Sequence, residues 1–297
     1  MKKPLSDRVF DVVNGALLTL LGASMVYPFL YVIAISLNEA YDSNRGGIWI
    51  LPRKLTFESY KIIFVNNDLL SAAFVSIART VLGTVLVVLC SAMFAYVFTK
   101  QKYFLYKPMK LIFFVAMFLG GGGLIPVYML FRSLGLLNTF WVYIIPWMLN
   151  LWYVVLFRTY FMRLPRELEE AAFVDGASEL TAFFKVILPL SKPIAATITL
   201  FAAVAQWNSW RDTLFFTASP SLKTLQYVMM EILQRAEAER MITRAEMLDV
   251  ALGHLKLVDP MSVRMAITVV TTLPIVLVYP FLQKHFIKGI LVGSMKG

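Results

Sequence analysis

The residues that could carry catalysis are few in this chain, and their spacing does not suit it. No G-x-x-x-x-G-K-[ST] phosphate loop occurs, so the chain does not bind ATP by that device. The motif H-E-x-x-H is absent, His254 and His285 are far apart, and no Ser-His-Asp set is plausibly arranged. The one cysteine, Cys90, lies inside an apolar run, which excludes a disulfide framework and a cysteine-based metal site. We therefore expect no catalytic residue, metal or cofactor in this polypeptide.

A charged segment, residues 163–189, lies between two apolar runs. Pro165 suits a first helical position, and glutamates follow in the first turns, where the helix dipole favours negative charge. Asp175 and Gly176 supply a stop, and Ser178 can cap a second helix. The pattern predicts two short helices joined by a tight turn. From charge alone, an ordinary solvated loop helix is an equally good interpretation.

The composition indicates the class of protein and the kind of element that positions these residues. The chain is 59% hydrophobic and 15% charged, and several apolar runs reach the roughly 20 residues that a helix needs to cross a bilayer. We predict an all-α, polytopic membrane protein, a single domain over residues 1–297, with an uncleaved first span. The six predicted spans are residues 12–37, 71–98, 111–131, 140–157, 190–210 and 263–281. The consecutive glycines 120–123 predict a break or close packing in the third span.

The basic residues lie at the ends of apolar runs, which argues against nucleic acid as the reason for the net charge of +10. The connection between the second and third spans contains lysines and no acidic residue, as does the stretch after the sixth span. Segments 38–70 and 211–264 have balanced charge. Lys and Arg in short loops mark the cytoplasmic side, so both termini and residues 163–189 are expected there, with loops 38–70 and 213–262 outside.

Arg79 is the one clear charge inside the second to sixth predicted spans, about a third of the way into the second from its outer end. Intramembrane charges commonly mark pathways, so Arg79 is a candidate pathway or gate residue facing an anionic or hydroxylated solute. The other interpretation is an arginine whose long stem carries its charge to the outer interface. Asp and Glu are missing from these spans, which counts against a proton-coupled carrier and points to an energy source in a partner.

The charged segment also has a recognisable spacing. Glu170-Ala171-Ala172 is followed after three residues by Gly176 and, after nine more, by Val186-Ile187-Leu188-Pro189. This resembles the EAA loop of bacterial ABC-importer permeases, whose usual pattern ends I-x-L-P, and Val186 is the only departure. The stretches 134–139, 207–208 and 283–297 look like the carbohydrate-uptake branch, of the maltose-permease small-subunit type. Segment 213–262 looks closer to permeases for pectic oligosaccharides and alginate.

The resemblance implies a type I ABC-importer permease fold in the bacterial cytoplasmic (inner) membrane. The implied function is binding-protein-dependent import of an oligosaccharide such as an alginate or pectic fragment, by alternating access driven through the EAA loop. The implied partners are a second, homologous permease forming a heterodimer, two ATPase subunits that bind ATP and Mg, an extracytoplasmic solute-binding protein, the sugar and membrane lipid. An ion-coupled secondary sugar carrier is the alternative. A non-transport membrane scaffold is a third hypothesis, which the EAA spacing opposes.

Site residues follow from the resemblance. Residues expected to contact the ATPase are Glu169, Glu170, Ala171, Ala172, Phe173, Asp175, Gly176, Phe183, Leu188 and Pro189, with Phe173 and Phe183 as apolar anchors. Tail residues expected to reach between the ATPases are Lys288, Gly289 and Lys296. A sugar pathway combines aromatic faces with hydrogen-bonding side chains, and its candidates are Arg79, Asn150, Trp152, Tyr153, Gln206, Trp207 and Asn208. Aromatic residues at span ends can instead be interfacial belt residues.

Overall fold

A computed structural model of the chain describes residues 5–39, 42–43, 45–66, 69–119, 122–246 and 261–277. Within these ranges the fold is helical and contains no strand; a single antiparallel bridge joins Asn38 and Leu55. The all-α prediction is therefore confirmed for the described part of the chain.

The described residues form twelve α-helices of more than three residues. They are α1 (Leu5–Ser36), α2 (Glu58–Asn66), α3 (Leu69–Val97), α4 (Tyr106–Leu119), α5 (Leu124–Ser133), α6 (Leu151–Phe161), α7 (Arg166–Val174), α8 (Glu179–Ala182), α9 (Lys192–Asn208), α10 (Arg211–Phe216), α11 (Leu225–Glu246) and α12 (Met261–Leu277). The 3-10 turns are Phe140–Tyr143, Ile145–Trp147 and Pro220–Leu222, a π-helical turn is Phe183–Ile187, and a single α-helical turn is Leu188–Leu190.

By length and composition, α1 and α3 can each cross a membrane. Two bent pairs raise the number to as many as four: the 3-10 turns before α6 with α6 itself, bent by 45°, and Glu179–Leu190 with α9, bent by 83°. Helices α5 and α12 are apolar but shorter. Much of the apolar surface of α1 and α3 is exposed, as expected for helices whose outer faces contact lipid or another subunit rather than a core.

The predicted break in the third span is confirmed. Helix α4 ends at Leu119 and α5 begins at Leu124. Between the two helices, Gly122 and Gly123 each have a positive φ angle. A positive φ is open to glycine at little cost and disfavoured for other residues, so the backbone can turn here. The predicted fourth span, residues 140–157, contains a bend of 45° that the sequence analysis does not predict. Pro146 lies within a 3-10 turn, and the Asn150 side chain caps the helix that starts after it.

The described residues fall into two compact units. One comprises the chain up to Leu69 together with Met229–Pro274, and the other comprises Leu70–Val228 with residues 275–277. The first unit contains a polar network in the connection after α1. The fully buried Asn38 donates to Asp42 at 3.0 Å, and Arg53 pairs with the same carboxylate at 2.9 Å. The Asn38 hydrogen bond, with Arg53 and Lys54 nearby, lowers the pKa of Asp42 although burial opposes this.

The second unit carries the two candidate sites. Its main core packs aromatic and aliphatic residues of α3 and α6 against α9 and the π-helical turn, with Phe157 and Phe183 almost fully buried at the centre. Arg158 of α6 donates to the Phe98 carbonyl just past α3 at 3.1 Å, and Ser91 of α3 accepts from the Asn150 N–H at 3.3 Å. Helices α3 and α6 are thus tied together at both ends of α6.

Candidate functional site

The segment 163–189 folds as its local signals predict. Helix α7 ends in a Schellman motif: the Gly176 N–H donates to the Phe173 carbonyl at 3.0 Å and the Ala177 N–H to that of Ala172 at 2.9 Å. Gly176 has a φ of 81°. Ser178 caps α8 by accepting from the Thr181 N–H at 3.3 Å. Pro165 is one residue earlier than expected, because it is the N-cap of α7 and not its first residue.

Replacing Gly176 with alanine is expected to lower the free energy of unfolding by about 1–2 kcal/mol, the cost of a left-handed conformation for a residue with a Cβ. A Cβ there would meet no atom within 4 Å, so backbone strain is the cause and not a clash. Gly176→Asn is the matched control, because asparagine is tolerated at this helix-ending position. Thermal unfolding of the purified protein measures both variants, and equal losses for the two would contradict the explanation.

A cluster of polar side chains, here called the latch, joins the segment to the end of α3. Lys100 lies 2.6 Å from a Glu169 carboxylate oxygen and 3.0 Å from one of Glu179. The Tyr96 hydroxyl also reaches both carboxylates, lying 2.6 Å from Glu179 and in hydrogen-bond contact with Glu169. Since a phenol has one proton, it donates to one carboxylate at a time, and the Lys100 ammonium holds the two acids together. Glu169 is on α7 and Glu179 on α8, so the latch fixes both helices of the turn.

The surroundings of the latch strengthen it. The Lys100 ammonium lies 4.7 Å from the centre of the Tyr96 ring and 4.9 Å from that of Phe173, both within the range of cation–π attraction. Partial burial tends to raise the pKa of Glu179, but the Tyr96 hydrogen bond and Lys100 outweigh it, so the pKa lies below its ordinary value. Glu179 is therefore ionised at neutral pH and available to Lys100.

The other side of α7 is open. Glu170, Ala171, Asp175 and Gly176 are exposed, Ala172 and Phe173 are half-buried, and Val174 on this helix is 89% exposed. Within the described residues, Glu170 makes no ion pair. An exposed carboxylate beside a small residue and a protruding valine is a surface suited to another protein.

Phe183 corrects one expectation. It is 1% exposed and its ring centre lies 5.4 Å from that of Tyr96, so it anchors the segment to its own chain and is not available to a partner. Leu188 is half-buried and packs on the same core, whereas Pro189 is exposed.

A second site surrounds Arg79, which is 2% exposed. Its guanidinium forms an ion pair with Asp212, donates through Nε to the Gln206 side-chain carbonyl at 3.0 Å, and donates through Nη1 to the Ser209 carbonyl at 3.2 Å. Its Cζ lies 4.8 Å from the centre of the buried Tyr143 ring. The interpretation in which Arg79 extends to an outer interface is therefore wrong, because its charge is neutralised inside the protein.

The chain around Tyr143 is hydrogen-bonded to the segment after α9. The Tyr143 hydroxyl donates to the Leu222 carbonyl at 2.6 Å. Asn138 adopts a φ of 55°, and its side chain accepts the N–H groups of Ala218 at 3.0 Å and Ser219 at 2.8 Å. Stretch 134–139, singled out from the sequence, thus binds through Asn138 to the segment just after α10.

A cavity of about 210 Å³ opens beside the Arg79–Asp212 pair. Of the predicted pathway residues, Arg79, Asn150, Tyr153 and Gln206 line it together. The other three are not part of its lining. They are Trp152, which is 57% exposed, Trp207, which is buried, and Asn208, whose side chain accepts from Gln226 at 3.4 Å.

Asp212 is the functional candidate that sequence reasoning missed. It falls between the predicted end of the fifth span at residue 210 and the start of the predicted outer loop at 213, and its partner lies 133 residues away along the chain. The available signal is an acidic residue two positions after the end of the predicted fifth span, which contains the amide of Gln206. The tail residues Lys288, Gly289 and Lys296 lie outside the described residues.

The two sites share α3. The latch begins at Tyr96, near the end of the helix, and Arg79 lies 17 residues earlier, or about 26 Å at 1.5 Å per residue.

Comparison with known proteins gives concordant matches. Residues 67–292 match the family described as binding-protein-dependent transport system inner membrane component. The chain is 37% identical to Protein LplC of Bacillus subtilis (strain 168), with 100% of this chain and 98% of the relative covered. It is 32% identical to the polygalacturonan/rhamnogalacturonan transport system permease protein YtcP of the same strain, with 99% and 100% covered.

A solved structure has the same fold. It is the crystal structure of a bacterial ABC transporter involved in the import of the acidic polysaccharide alginate, and the match has a TM-score of 0.81 and 27% sequence identity, covering 96% of this chain and 99% of that one. The predicted resemblance to ABC-importer permeases is confirmed, as is the prediction of a transport permease in place of an enzyme. The ion-coupled carrier is not supported. The chain belongs to the family of binding-protein-dependent transport system inner membrane components.

Proposed function

We propose that this chain is one of two permease subunits in an ATP-driven importer of oligosaccharides. The observation that carries the proposal is segment 163–189, in which the latch holds one side of α7 to the chain while Glu170, Ala171 and Val174 are left exposed. Because the chain belongs to the binding-protein-dependent family, the proposed binding partner of that exposed face is the ATPase subunits, which would hold ATP and Mg. The extracytoplasmic solute-binding protein and a homologous permease complete the assembly.

The proposed topology has six spans with both termini in the cytoplasm of a bacterial cell. Its support is the asymmetry of lysines, because positive residues in short loops stay inside. Loops 38–70 and 213–262 then face the solute-binding protein outside, and the tail 288–297 reaches between the ATPases. Exposed apolar surface on α1 and α3 supports their placement in lipid.

The proposed transmission follows the packing of the second unit. Helix α7 sits in the ATPase, the latch passes its movement to α3, and the buried Phe183 passes it to α6 and α9 through the core. Helix α3 extends from the latch to Arg79, and α9 leads to Gln206. Closure of the ATPase pair on ATP binding would tilt these helices and exchange access between the two sides.

The proposed substrate is an oligosaccharide. Support comes from the relatives, one named for polygalacturonan and rhamnogalacturonan and one structure named for alginate. Pectic and alginate fragments are therefore the first substrates to test. The cavity beside Arg79 lies on the proposed pathway and joins amide, aromatic and hydroxyl groups suited to sugar hydroxyls.

Glu170→Lys tests the proposal. We expect sugar-stimulated ATP hydrolysis by the complex of both permeases, the ATPases and the binding protein to fall to near its basal rate. The reason is that Glu170 is proposed to pair with a basic residue in a cleft of the ATPase, which the reversed charge would repel. Glu170→Gln removes the charge and keeps the shape. Its rate of sugar-stimulated ATP hydrolysis should lie between that of the unchanged complex and that of Glu170→Lys.

The controls separate loss of coupling from loss of assembly. Co-purification of all subunits shows that each variant complex is intact. Gly176→Pro should also uncouple, since proline fixes φ near −65° and cannot adopt the observed 81°. Full sugar stimulation in both Glu170→Lys and Gly176→Pro complexes would rule out coupling through this segment.

A further inference from the structure

The cavity beside the Arg79–Asp212 pair has walls of two kinds. Trp147 and Tyr153 contribute aromatic surface, and Asn150 and Gln206 contribute amides. At about 210 Å³ it is smaller than the roughly 300–1,000 Å³ of pockets that hold drug-sized ligands. Its size suits one ring of a longer chain.

Hydrogen bonds to their oxygens orient the two amide groups. The Asn150 side-chain carbonyl accepts the N–H groups of Trp152 at 3.0 Å and Tyr153 at 3.2 Å. The Gln206 carbonyl accepts from Arg79, and Gln206 packs so closely on α3 that a Cβ at Gly83 would lie 2.7 Å from its amide nitrogen. Among the described residues, no acceptor is found for the amide nitrogen of Asn150 or of Gln206. In the described part of the chain, the hydroxyl of Tyr153 makes no hydrogen bond, although the residue is 8% exposed.

The electrostatics of the cavity are close to neutral. Arg79 is the one cation among its lining residues, and its guanidinium is already paired with Asp212. A carboxylate that entered would sit beside the Asp212 carboxylate with no free cation to pair with. Burying an unpaired charge is costly in free energy. Sugar hydroxyls meet no such penalty, because each can accept from an amide nitrogen or bond to the Tyr153 hydroxyl.

We propose that this cavity is a glycosyl subsite that accepts an uncharged, hydroxyl-bearing sugar ring and disfavours a uronate. The inference rests on the proposed function and adds a substrate class to this chain's part of the pathway. A rhamnogalacturonan fragment, which has both neutral and acidic units, would place a neutral unit here and its carboxylates elsewhere in the assembly. An all-uronate fragment of polygalacturonan or alginate would bind elsewhere in the assembly and leave this cavity unfilled.

Two matched trisaccharides test the proposal: α-1,4-galactotriose and α-1,4-trigalacturonate, which differ only in oxidation at C6. Binding to the complex of both permeases and the ATPases in nanodiscs is followed by saturation-transfer NMR, with the binding protein omitted so that it gives no signal. We expect galactotriose binding to depend on this cavity, and trigalacturonate, whose carboxylates are placed elsewhere in the assembly, to bind independently of it. Tyr153→Phe should weaken galactotriose about threefold to tenfold, the usual worth of one neutral hydrogen bond.

Tyr160→Phe is the control, since it makes the same change in the same helix at a residue outside the cavity lining. Asp212→Asn should shift the preference toward trigalacturonate, because it leaves the Arg79 charge unpaired. If that variant fails to fold, the comparison of Tyr153→Phe with Tyr160→Phe still tests whether the cavity binds galactotriose.

The inference is overturned if galactotriose does not bind at millimolar concentration, if Tyr153→Phe weakens trigalacturonate as much as galactotriose, or if Tyr153→Phe behaves like Tyr160→Phe. Failure of the proposed function looks different: the complete complex with its binding protein would then show no sugar-stimulated ATP hydrolysis at all.

Discussion

Replacing Arg79 with methionine is expected to lower the free energy of unfolding by about 3–5 kcal/mol, the usual cost of breaking a buried ion pair from one side. Methionine fills much of the same volume, so the loss is mainly electrostatic. Asp212 is 7% exposed and would be left without its cationic partner, and the carbonyls of Gln206 and Ser209 would each lose a donor. Denaturation of the detergent-solubilised protein, followed by circular dichroism, measures the change.

Two further variants identify the cause. Arg235→Met makes the same substitution at an exposed i,i+4 pair with Glu231 and should cost at most about 1 kcal/mol. The double variant Arg79→Met/Asp212→Leu should recover much of the loss, because no charge then remains buried. Equal stability of Arg79→Met and Arg235→Met would show that the Arg79 pair does not stabilise the contact between α3 and α10.

Replacing Lys100 with methionine is expected to uncouple the protein from its ATPases. Without the ammonium, Glu169 and Glu179 repel each other while sharing one Tyr96 proton, so α7 and α8 are no longer fixed to α3. We expect the ratio of sugar-stimulated to basal ATP hydrolysis to fall by about fivefold to tenfold, the lower range of coupling between distant sites.

Lys102→Met is the matched control. Lys102 is a nearby exposed lysine for which the described part of the chain shows no ion pair. Lys100→Arg should retain most of the coupling because it keeps the charge. A merely structural role for Lys100 would lower yield and stability with the ratio intact, and equal ratios for Lys100→Met and Lys102→Met would argue against the latch.

The folding of segment 163–189 was predictable because its signals are local. A helix-stopping glycine, a serine cap and early glutamates act within a few residues, and Gly176 and Ser178 perform the expected tasks. The break around Gly122 and Gly123 is another local effect. The family resemblance depended on the same kind of short-range spacing.

Long-range partners were not predictable from one sequence. Asp212 pairs with Arg79 across 133 residues, and nothing near either residue indicates the other. Phe183 was expected to contact a partner, but its burial depends on Tyr96 of a different helix. The bend before α6 combines Pro146 with the Asn150 cap, and hydropathy alone gives a straight span. Side-chain chemistry thus suggested the residues of the Arg79 cavity, and only the fold sorted those that line it from those that do not.

The most direct test of the central claim is oligosaccharide accumulation in proteoliposomes that contain this chain, its partner permease and the ATPases, with the binding protein and a labelled pectic or alginate fragment outside. We predict accumulation that requires ATP inside, persists when ionophores collapse the proton and sodium gradients, and is lost in Glu170→Lys. Two results would contradict ATP-driven import through this chain: accumulation without ATP or ATPase subunits, or accumulation that ionophores abolish while ATP is present.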